Sequence, residues 1–183
     1  MHTPTSKAII SIVTILPLLL NLPTPTNADE ISGRVGLDDG DTITIQLRLF
    51  GIDTPEKKQL CAKADGTCYP CGQQATNFVA GLLGYKPNSA RRSKNSLKCG
   101  LVPGETSYGR PVAICYLGNI NLNLAIVRAG WAIAYKRYLD KVPSLKSDFL
   151  KAEYEARYAK RGIWDGAFTM PERWRRGDRL TCE

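Results

Sequence analysis

The stretch DGDTITIQLRLFGIDTPE, residues 39–56, decides the fold that the sequence predicts. Within it, residues 42–47 alternate polar and apolar side chains, which is the pattern of a strand with one buried face. The dipeptide Asp39-Gly40 predicts a two-residue hairpin turn after a strand that starts at Ile31. Residues 48–52 form a further predicted strand, which ends near Pro55 because proline donates no backbone hydrogen bond. The acidic residues of this stretch therefore follow turns and strand ends.

Beyond this stretch, the chain predicts a second antiparallel strand pair over residues 97–102 and 111–116. Apolar residues at helical spacing predict helices around the pair, which cover residues 73–83, a segment from Asn121 or Asn123 to 127, and 147–161 with Ser147 as its cap. Short antiparallel strands hide their edges by closing on themselves. This order of elements predicts an α+β fold, mainly β, with a small closed barrel and helices packed on it.

Composition and charge indicate a globular protein with a polyanionic partner. The 183 residues are 43% hydrophobic and 23% charged, close to the globular average, which excludes a wholly disordered or collagen-like chain. The formal net charge of +8 favours polyanionic partners such as nucleic acid, heparin-like sugars or anionic lipid. The single histidine, His2, lies in the predicted signal, so histidine-based catalysis is excluded for the mature chain.

Residues 1–28 have the features of a secretory signal peptide. Lys7 precedes an apolar run over residues 8–22, and small or polar residues follow at 26–28. The run is too short for a comfortable membrane span of about 20 residues, although an uncleaved anchor is the alternative. We expect residues 29–183 to form a single secreted or periplasmic domain, without stable membrane insertion or an obligate protein partner.

All 6 cysteines follow the predicted signal, which indicates disulfides formed in an oxidising compartment. Cys99 and Cys115 lie on the predicted strand pair and are expected to form one bridge. The remaining expected bridges are Cys61–Cys71 and Cys68–Cys182. A zinc site that uses the Cys68-x-x-Cys71 spacing is the alternative, but no second cysteine pair completes it.

Acidic and basic residues are predicted to meet at the strand ends. Asp41 follows the first turn, Arg48 begins a strand, and Asp53 and Glu56 follow that strand. If residues 42–47 and 48–52 form neighbouring strands, Asp41 and Asp53 converge, and two carboxylates suit a hard cation such as Ca²⁺. The alternative is that these acids only cap turns and loops. Spacing alone does not decide between the two.

Several motifs occur in an order that resembles the staphylococcal nuclease family. They are Asp39-Gly-Asp-Thr42, Arg48-Leu-Phe-Gly-Ile-Asp-Thr-Pro-Glu56, Tyr108-Gly-Arg110, Asn123-Leu-Ala-Ile-Val-Arg-Ala-Gly130, Glu153 and Gly162-Ile-Trp164. The resemblance covers about residues 31–164. It implies a five-stranded OB-fold barrel with about three packed helices, and a Ca²⁺-dependent phosphodiesterase that acts on DNA and/or RNA.

The resemblance also implies a role for each matching residue. Asp41, Asp53 and the backbone carbonyl of Thr54 would hold Ca²⁺, with Mg²⁺ or Mn²⁺ also compatible. Glu56 would activate the attacking water for a cleavage that leaves a 3′-phosphate. The residues that would grip the substrate are Arg48 and Arg110 at the phosphate, and Tyr108 and Tyr135 at the nucleotide.

The chain departs from the family pattern at Thr106 and Ser107, where an acidic and a basic residue are expected. Glu153 is expected to be structural and not catalytic, with its carboxylate bonded to loop backbone. The basic groups at 91–98 and 173–179 are either solvated faces or nucleic-acid contacts. The alternative function is a non-catalytic OB-fold module that binds nucleic acid or another polyanion.

Overall fold

The first two strands form an antiparallel hairpin, β1 (Val35–Leu37) with β2 (Ile43–Ile45). The structure is a computed structural model, and it describes residues 35–37, 40, 43–85 and 95–181. The register pairs Leu37 with Ile43. Apart from Gly40, the predicted turn lies outside the described residues, and so does Asp41.

The strand predicted over residues 48–52 is divided into β3 (Arg48–Leu49) and β4 (Ile52–Asp53). The division falls at Gly51, which has a φ of +72° that favours glycine, and a Cβ there would lie 2.6 Å from Cδ2 of Leu139. The two halves then pair with different partners, β3 in parallel with β8 (Arg110–Leu117) and β4 antiparallel with β10 (Ile133–Ala134). Among the described strands, β2 pairs with β1 and not with β3.

The predicted strand pair is confirmed and is longer than expected. It consists of β7 (Lys98–Ser107) and β8 (Arg110–Leu117), and β9 (Ile120–Asn121) pairs with the far end of β8. The turn residues Tyr108 and Gly109 have φ values of +53° and +72°. Positive φ at both central positions is typical of a two-residue turn that matches the twist of a hairpin.

Two of the expected disulfides are confirmed. Cys99 and Cys115 are bridged across the β7–β8 hairpin, and Cys61 and Cys71 are bridged beside the small hairpin of β5 (Cys61–Ala62) and β6 (Cys68–Tyr69). The disulfide of Cys71 overturns the zinc alternative, because zinc needs the free thiolate. Cys182 lies outside the described residues, so the Cys68–Cys182 bridge stays a prediction.

Helices pack against the strands. They are α1 (Cys71–Leu82), α2 (Leu122–Arg128), α3 (Lys136–Leu139), α4 (Pro143–Tyr158), a 3₁₀ turn (Gly162–Asp165) and α5 (Pro171–Arg175), with β10 (Ile133–Ala134) between α2 and α3. Among them, α2 packs against β8 and α4 against β10. The prediction that α4 begins at Ser147 is wrong. Pro143 begins it instead, because the fixed φ of proline suits the first helical position.

The core gathers the apolar faces of β3, β8, α2 and α4, with Phe50, Ile126 and Phe149 at its centre. Asn123 is fully buried there and joins α2 to β8 and to Phe50, which follows β3. This mixture of sheets and helices confirms an α+β fold. The described strands do not close into a barrel, so the five-stranded closed barrel stays a prediction. Within the described ranges, no helix has the length and apolar character needed to cross a membrane.

Candidate active site

Three separate segments bring charged side chains to one cleft of about 210 Å³. Arg48 begins β3, Asp53 ends β4 and Glu56 follows it, and Arg110 begins β8. Because β3 runs parallel to β8 with Arg48 beside Val112, the two arginines enter the sheet at the same end. The charged and polar residues that line the cleft are Arg48, Asp53, Thr54, Glu56 and Arg110.

Asp53 is a buried carboxylate held by cationic partners. It is 2% exposed, and β4 fixes its backbone opposite Ile133 of β10. Its Oδ1 accepts a long hydrogen bond of 3.4 Å from Nη2 of Arg48. Arg175 donates from Nη1 to Oδ1 at 2.9 Å and from Nη2 to Oδ2 at 2.8 Å. A buried carboxylate needs such partners, because leaving it unpaired costs about 3–5 kcal/mol.

Glu56 is the more exposed carboxylate of the cleft. Its Oε1 accepts a hydrogen bond of 2.8 Å from Nη1 of Arg175, the same nitrogen that reaches Asp53. Its backbone N–H donates to Oε1 of the fully buried Gln59 at 3.1 Å. A Cβ at Gly72 would lie 1.8 Å from the backbone oxygen of Glu56. The start of α1 and Gln59 therefore fix the loop that carries this carboxylate.

Glu153 is a structural residue that does not line the cleft. It is buried on α4, and its Oε1 accepts a hydrogen bond of 3.1 Å from the backbone N–H of Ala134 in β10. Since β10 pairs with β4, this bond supports the strand that ends at Asp53. The prediction that Glu153 bonds to backbone is confirmed, but the backbone group belongs to a strand and not to a loop, because α4 packs against β10.

The β7–β8 turn places Tyr108 and Arg110 beside the cleft. Nε of Arg110 donates to the backbone oxygen of Ser107 at 3.3 Å, so its guanidinium stays close to the turn. Tyr108 is 76% exposed and has positive φ, which is uncommon for a bulky residue and is often found at functional sites.

An aromatic cleft of about 90 Å³ adjoins the charged one. Tyr108, Tyr135 and Tyr138 line it, together with Arg48 and Arg175. The rings of Tyr135 and Tyr138 are tilted, with their centroids 4.9 Å apart. The backbone N–H of Tyr135 donates to the oxygen of Gly51, which fixes the start of α3 against β4. Tyr138 is not among the residues that the sequence predicted for this cleft.

Tyr135 supplies a prediction about alkaline stability. Burial, followed by the carboxylates of Glu172 and Asp53, raises the pKa of its phenol above the ordinary value of 10. The unfolded chain therefore loses this proton first, and the folded state loses stability as the pH rises above about 10. Tyr135→Phe is expected to lose less stability than the wild type between about pH 9 and about pH 11. The measurement is the free energy of unfolding in urea, determined for both proteins at a series of pH values.

The matched control for this experiment is Tyr158→Phe, because the ring of Tyr158 is 82% exposed. Its pH dependence should follow that of the wild type. If Tyr135→Phe follows the wild type equally closely, the attribution of alkaline sensitivity to Tyr135 is wrong.

The candidate metal ligands are only partly described. Asp53 and Thr54 line the cleft, while Asp41 lies outside the described residues. Among described side chains, no group of three or more His, Cys, Asp or Glu residues is arranged to hold a metal ion. Asp53 and Glu56 nevertheless direct oxygens at one cationic group, the guanidinium of Arg175. Hard oxygen donors that face a shared positive charge fit a hard divalent cation.

Comparison with known proteins identifies the family. The sequence model described as "Staphylococcal nuclease homologue" matches residues 46–166, more than half of the chain. A protein of Haemophilus influenzae named "Uncharacterized endonuclease" is 30% identical over 155 residues, which cover 80% of this chain and 73% of that protein. This chain belongs to the staphylococcal nuclease family.

Other relatives resemble the chain to a similar degree. A protein of Escherichia coli O157:H7, also named "Uncharacterized endonuclease", is 31% identical over 168 residues, which cover 85% of this chain and 92% of that protein. A rice protein named "Probable staphylococcal-like nuclease CAN3" is 31% identical over 135 residues, which cover 73% of this chain and 29% of that protein. Membership confirms the resemblance and implies an OB-fold α+β architecture.

The staphylococcal nuclease match ends at residue 166, before α5. Arg175 was therefore outside every motif that the sequence offered, and it was predicted only as part of the basic group at 173–179. Hydrogen bonds to Asp53, and then to Glu56, raise the pKa of its guanidinium, which remains charged at any working pH. Gln59 lies within the matched residues and was missed for a different reason, because a glutamine in a loop carries no chemical signature by itself.

Proposed function

We propose that the protein is a metal-dependent phosphodiesterase that hydrolyses DNA and/or RNA. The observation that carries this proposal is the convergence of Arg48, Asp53, Glu56 and Arg110 on one cleft. Membership of a family whose relatives are named nucleases and endonucleases supports the same reaction class. The net charge of +8 also suits a polyanionic substrate.

We assign the divalent cation, Ca²⁺ in the first instance, to Asp53 and the backbone carbonyl of Thr54, with Asp41 as a further ligand. When bound, such an ion neutralises charge on the non-bridging phosphate oxygens and lowers the pKa of bound water. Mg²⁺ and Mn²⁺ accept the same oxygen ligands. The donors are hard oxygens at the end of β4, which is consistent with an ion of this class.

The side chains of the cleft divide the remaining work. Glu56 accepts a proton from the attacking water, whose oxygen forms a bond to phosphorus. The bond from phosphorus to the 5′-oxygen breaks, and the leaving oxygen takes up a proton from solvent water, so that a 3′-phosphate and a 5′-hydroxyl remain. Arg48 and Arg110 hold the phosphate, because guanidinium forks match its oxygens and offset the charge that develops on them.

The aromatic cleft is the place for the nucleotide beside the reacting phosphate. Tyr108 and Tyr135, with Tyr138, present ring faces on which a base can stack, a contact that contributes about 1–3 kcal/mol per base. Because every base has such a face, stacking tolerates many sequences. This arrangement favours a nuclease with broad sequence tolerance.

Cleavage of plasmid DNA and of single-stranded DNA and RNA tests the proposal. Purified protein is incubated with Ca²⁺, Mg²⁺, Mn²⁺ or a chelator, and the product ends are analysed. We expect cation-stimulated cleavage, no cleavage with chelator, and 3′-phosphate ends. Salt-sensitive binding with no product under any cation would favour the non-catalytic binding module instead.

We also propose that the protein is exported and works as a single domain, residues 29–183, after removal of residues 1–28. The two disulfides, Cys61–Cys71 and Cys99–Cys115, support this location, since such bonds persist in oxidising compartments. A nuclease in that compartment would act on nucleic acid outside the cytoplasm.

A further inference from the structure

The tail of the chain, beyond the part that matches the family, delivers Arg175 into the candidate active site. Its guanidinium bonds both oxygens of Asp53 at 2.8 and 2.9 Å and Oε1 of Glu56 at 2.8 Å. The side chain is 29% exposed, so this is a largely enclosed contact. One group thus occupies oxygens of both carboxylates that the proposed reaction requires.

The backbone around Arg175 is built into the site and does not lie loosely over it. The backbone N–H of Ala62 donates to the backbone oxygen of Ala167 at 2.8 Å. Phe168 pairs with Cys61 in an isolated antiparallel β-bridge. Nε2 of Gln59 donates to the oxygen of Thr169 at 2.6 Å. Pro171 is then buried at the start of α5. The tail is therefore anchored to the loop that follows Glu56.

Gln59 connects the loop that carries Glu56 directly to the tail that carries Arg175. Its Oε1 accepts from the backbone N–H of Glu56 while its Nε2 holds Thr169. It is completely buried, and both ends of its amide are hydrogen-bonded. The position of α5 is consequently tied to the position of Glu56.

Arg175 and a divalent cation compete for the same oxygens. A guanidinium that donates to both oxygens of Asp53 takes up lone pairs that a bound cation would use, and two positive groups at one carboxylate repel each other. We propose that Arg175 is a cation-displaced latch, which holds Asp53 and Glu56 in the cation-free protein and leaves them when a divalent cation binds. This inference rests on the cation site of the proposed function.

The latch lowers the affinity for the cation, because binding must first break the Arg175 contacts. Thermodynamic linkage makes this effect reciprocal, so a bound cation must in turn weaken the contacts that Arg175 of α5 makes with Asp53 and Glu56. Coupling between two such events typically changes affinity by about 5–150-fold.

Cation binding to Arg175→Ala, measured by calorimetry without substrate, tests the latch. We expect Ca²⁺ to bind at least about 5-fold more tightly than to the wild type. The matched control is Arg176→Ala, which removes the same charge one residue along from a side chain that is 73% exposed and pairs with Glu172. It should bind Ca²⁺ as the wild type does. If Arg175→Ala does not fold, Arg175→Lys serves, since lysine cannot donate in a fork and a smaller gain in affinity is expected.

Hydrogen exchange supplies a second measurement on the wild type. Saturating Ca²⁺ is expected to speed amide exchange in α5, and to leave the β7–β8 hairpin unchanged. Unchanged or weaker Ca²⁺ binding by Arg175→Ala, or unchanged exchange in α5, overturns the latch. Failure of all forms to bind Ca²⁺, Mg²⁺ or Mn²⁺ also overturns it. The proposed phosphodiesterase activity is judged separately by cleavage, so its failure is distinguishable.

Discussion

Replacing Glu56 by glutamine is expected to slow phosphodiester cleavage by about 10²–10⁴-fold. Glutamine keeps the size of the side chain but cannot accept the proton of the attacking water. Binding of nucleic acid should change little, because the arginines and the aromatic cleft remain. The expected result is therefore a loss in kcat with a KM close to that of the wild type.

The measurement is single-turnover cleavage of a short labelled DNA at saturating Ca²⁺. Glu105→Gln is the matched control, since Glu105 pairs with Lys141 and does not line the charged cleft. It should keep the wild-type rate. Equal rates for Glu56→Gln and the wild type would remove Glu56 from the mechanism, and a loss confined to KM would assign it to binding.

Replacing Asn123 by alanine is expected to lower the free energy of unfolding by about 2–6 kcal/mol, from the loss of partners for two buried backbone groups. Oδ1 of Asn123 accepts from the N–H of Cys115 at 3.1 Å, and its Nδ2 donates to the oxygens of Phe50 and Ala113 at 3.0 and 3.1 Å. Alanine leaves the Cys115 N–H and the Phe50 oxygen without these partners. Ala113 keeps a hydrogen bond of 2.8 Å from the Phe50 N–H.

The hairpin geometry explains why Cys115 depends on Asn123. The Cα atoms of Cys99 and Cys115 are 4.1 Å apart, which is typical of a pair that exchanges no backbone hydrogen bonds. The N–H of Cys115 therefore points away from β7, towards Asn123. A cost of this size is a large fraction of the 5–15 kcal/mol that stabilises a typical domain.

Urea unfolding under non-reducing conditions measures the effect. Asn121→Ala is the matched control, because Asn121 caps α2 by accepting from the N–H of Leu124, and loss of a cap costs about 1 kcal/mol. Asn123→Ala should be clearly the less stable of the two. Equal stabilities would contradict the central position given to Asn123.

Local patterns in the sequence predicted much of the fold. The strand pair predicted over residues 97–102 and 111–116 is the β7–β8 hairpin, and the predicted pair led to the expected Cys99–Cys115 bridge. Helical spacing predicted α1, α2 and α4 to within a few residues. The errors came where tertiary packing decides: the single strand predicted over residues 48–52 is divided at Gly51, and its two halves pair with β8 and β10.

Of the candidate site, the sequence by itself determined which residue types are present and in what order. The motifs around Arg48, Asp53, Glu56 and Arg110 lie within short segments, and their order indicated the family that the comparison confirmed. Because such motifs lie within short segments, they can be found in a single sequence without any knowledge of the fold.

Only the tertiary structure decided which of these side chains lie in one cleft, and which further residues contact them there. It brought Arg175 to Asp53 across 122 positions of the chain and tied the tail to Gln59 across 110. Contacts of that separation leave no periodicity or spacing in the sequence, because they depend on how distant segments pack. The basic segment 173–179, for which a solvated surface was one of the two interpretations, thus contributes Arg175 to the site of Asp53 and Glu56.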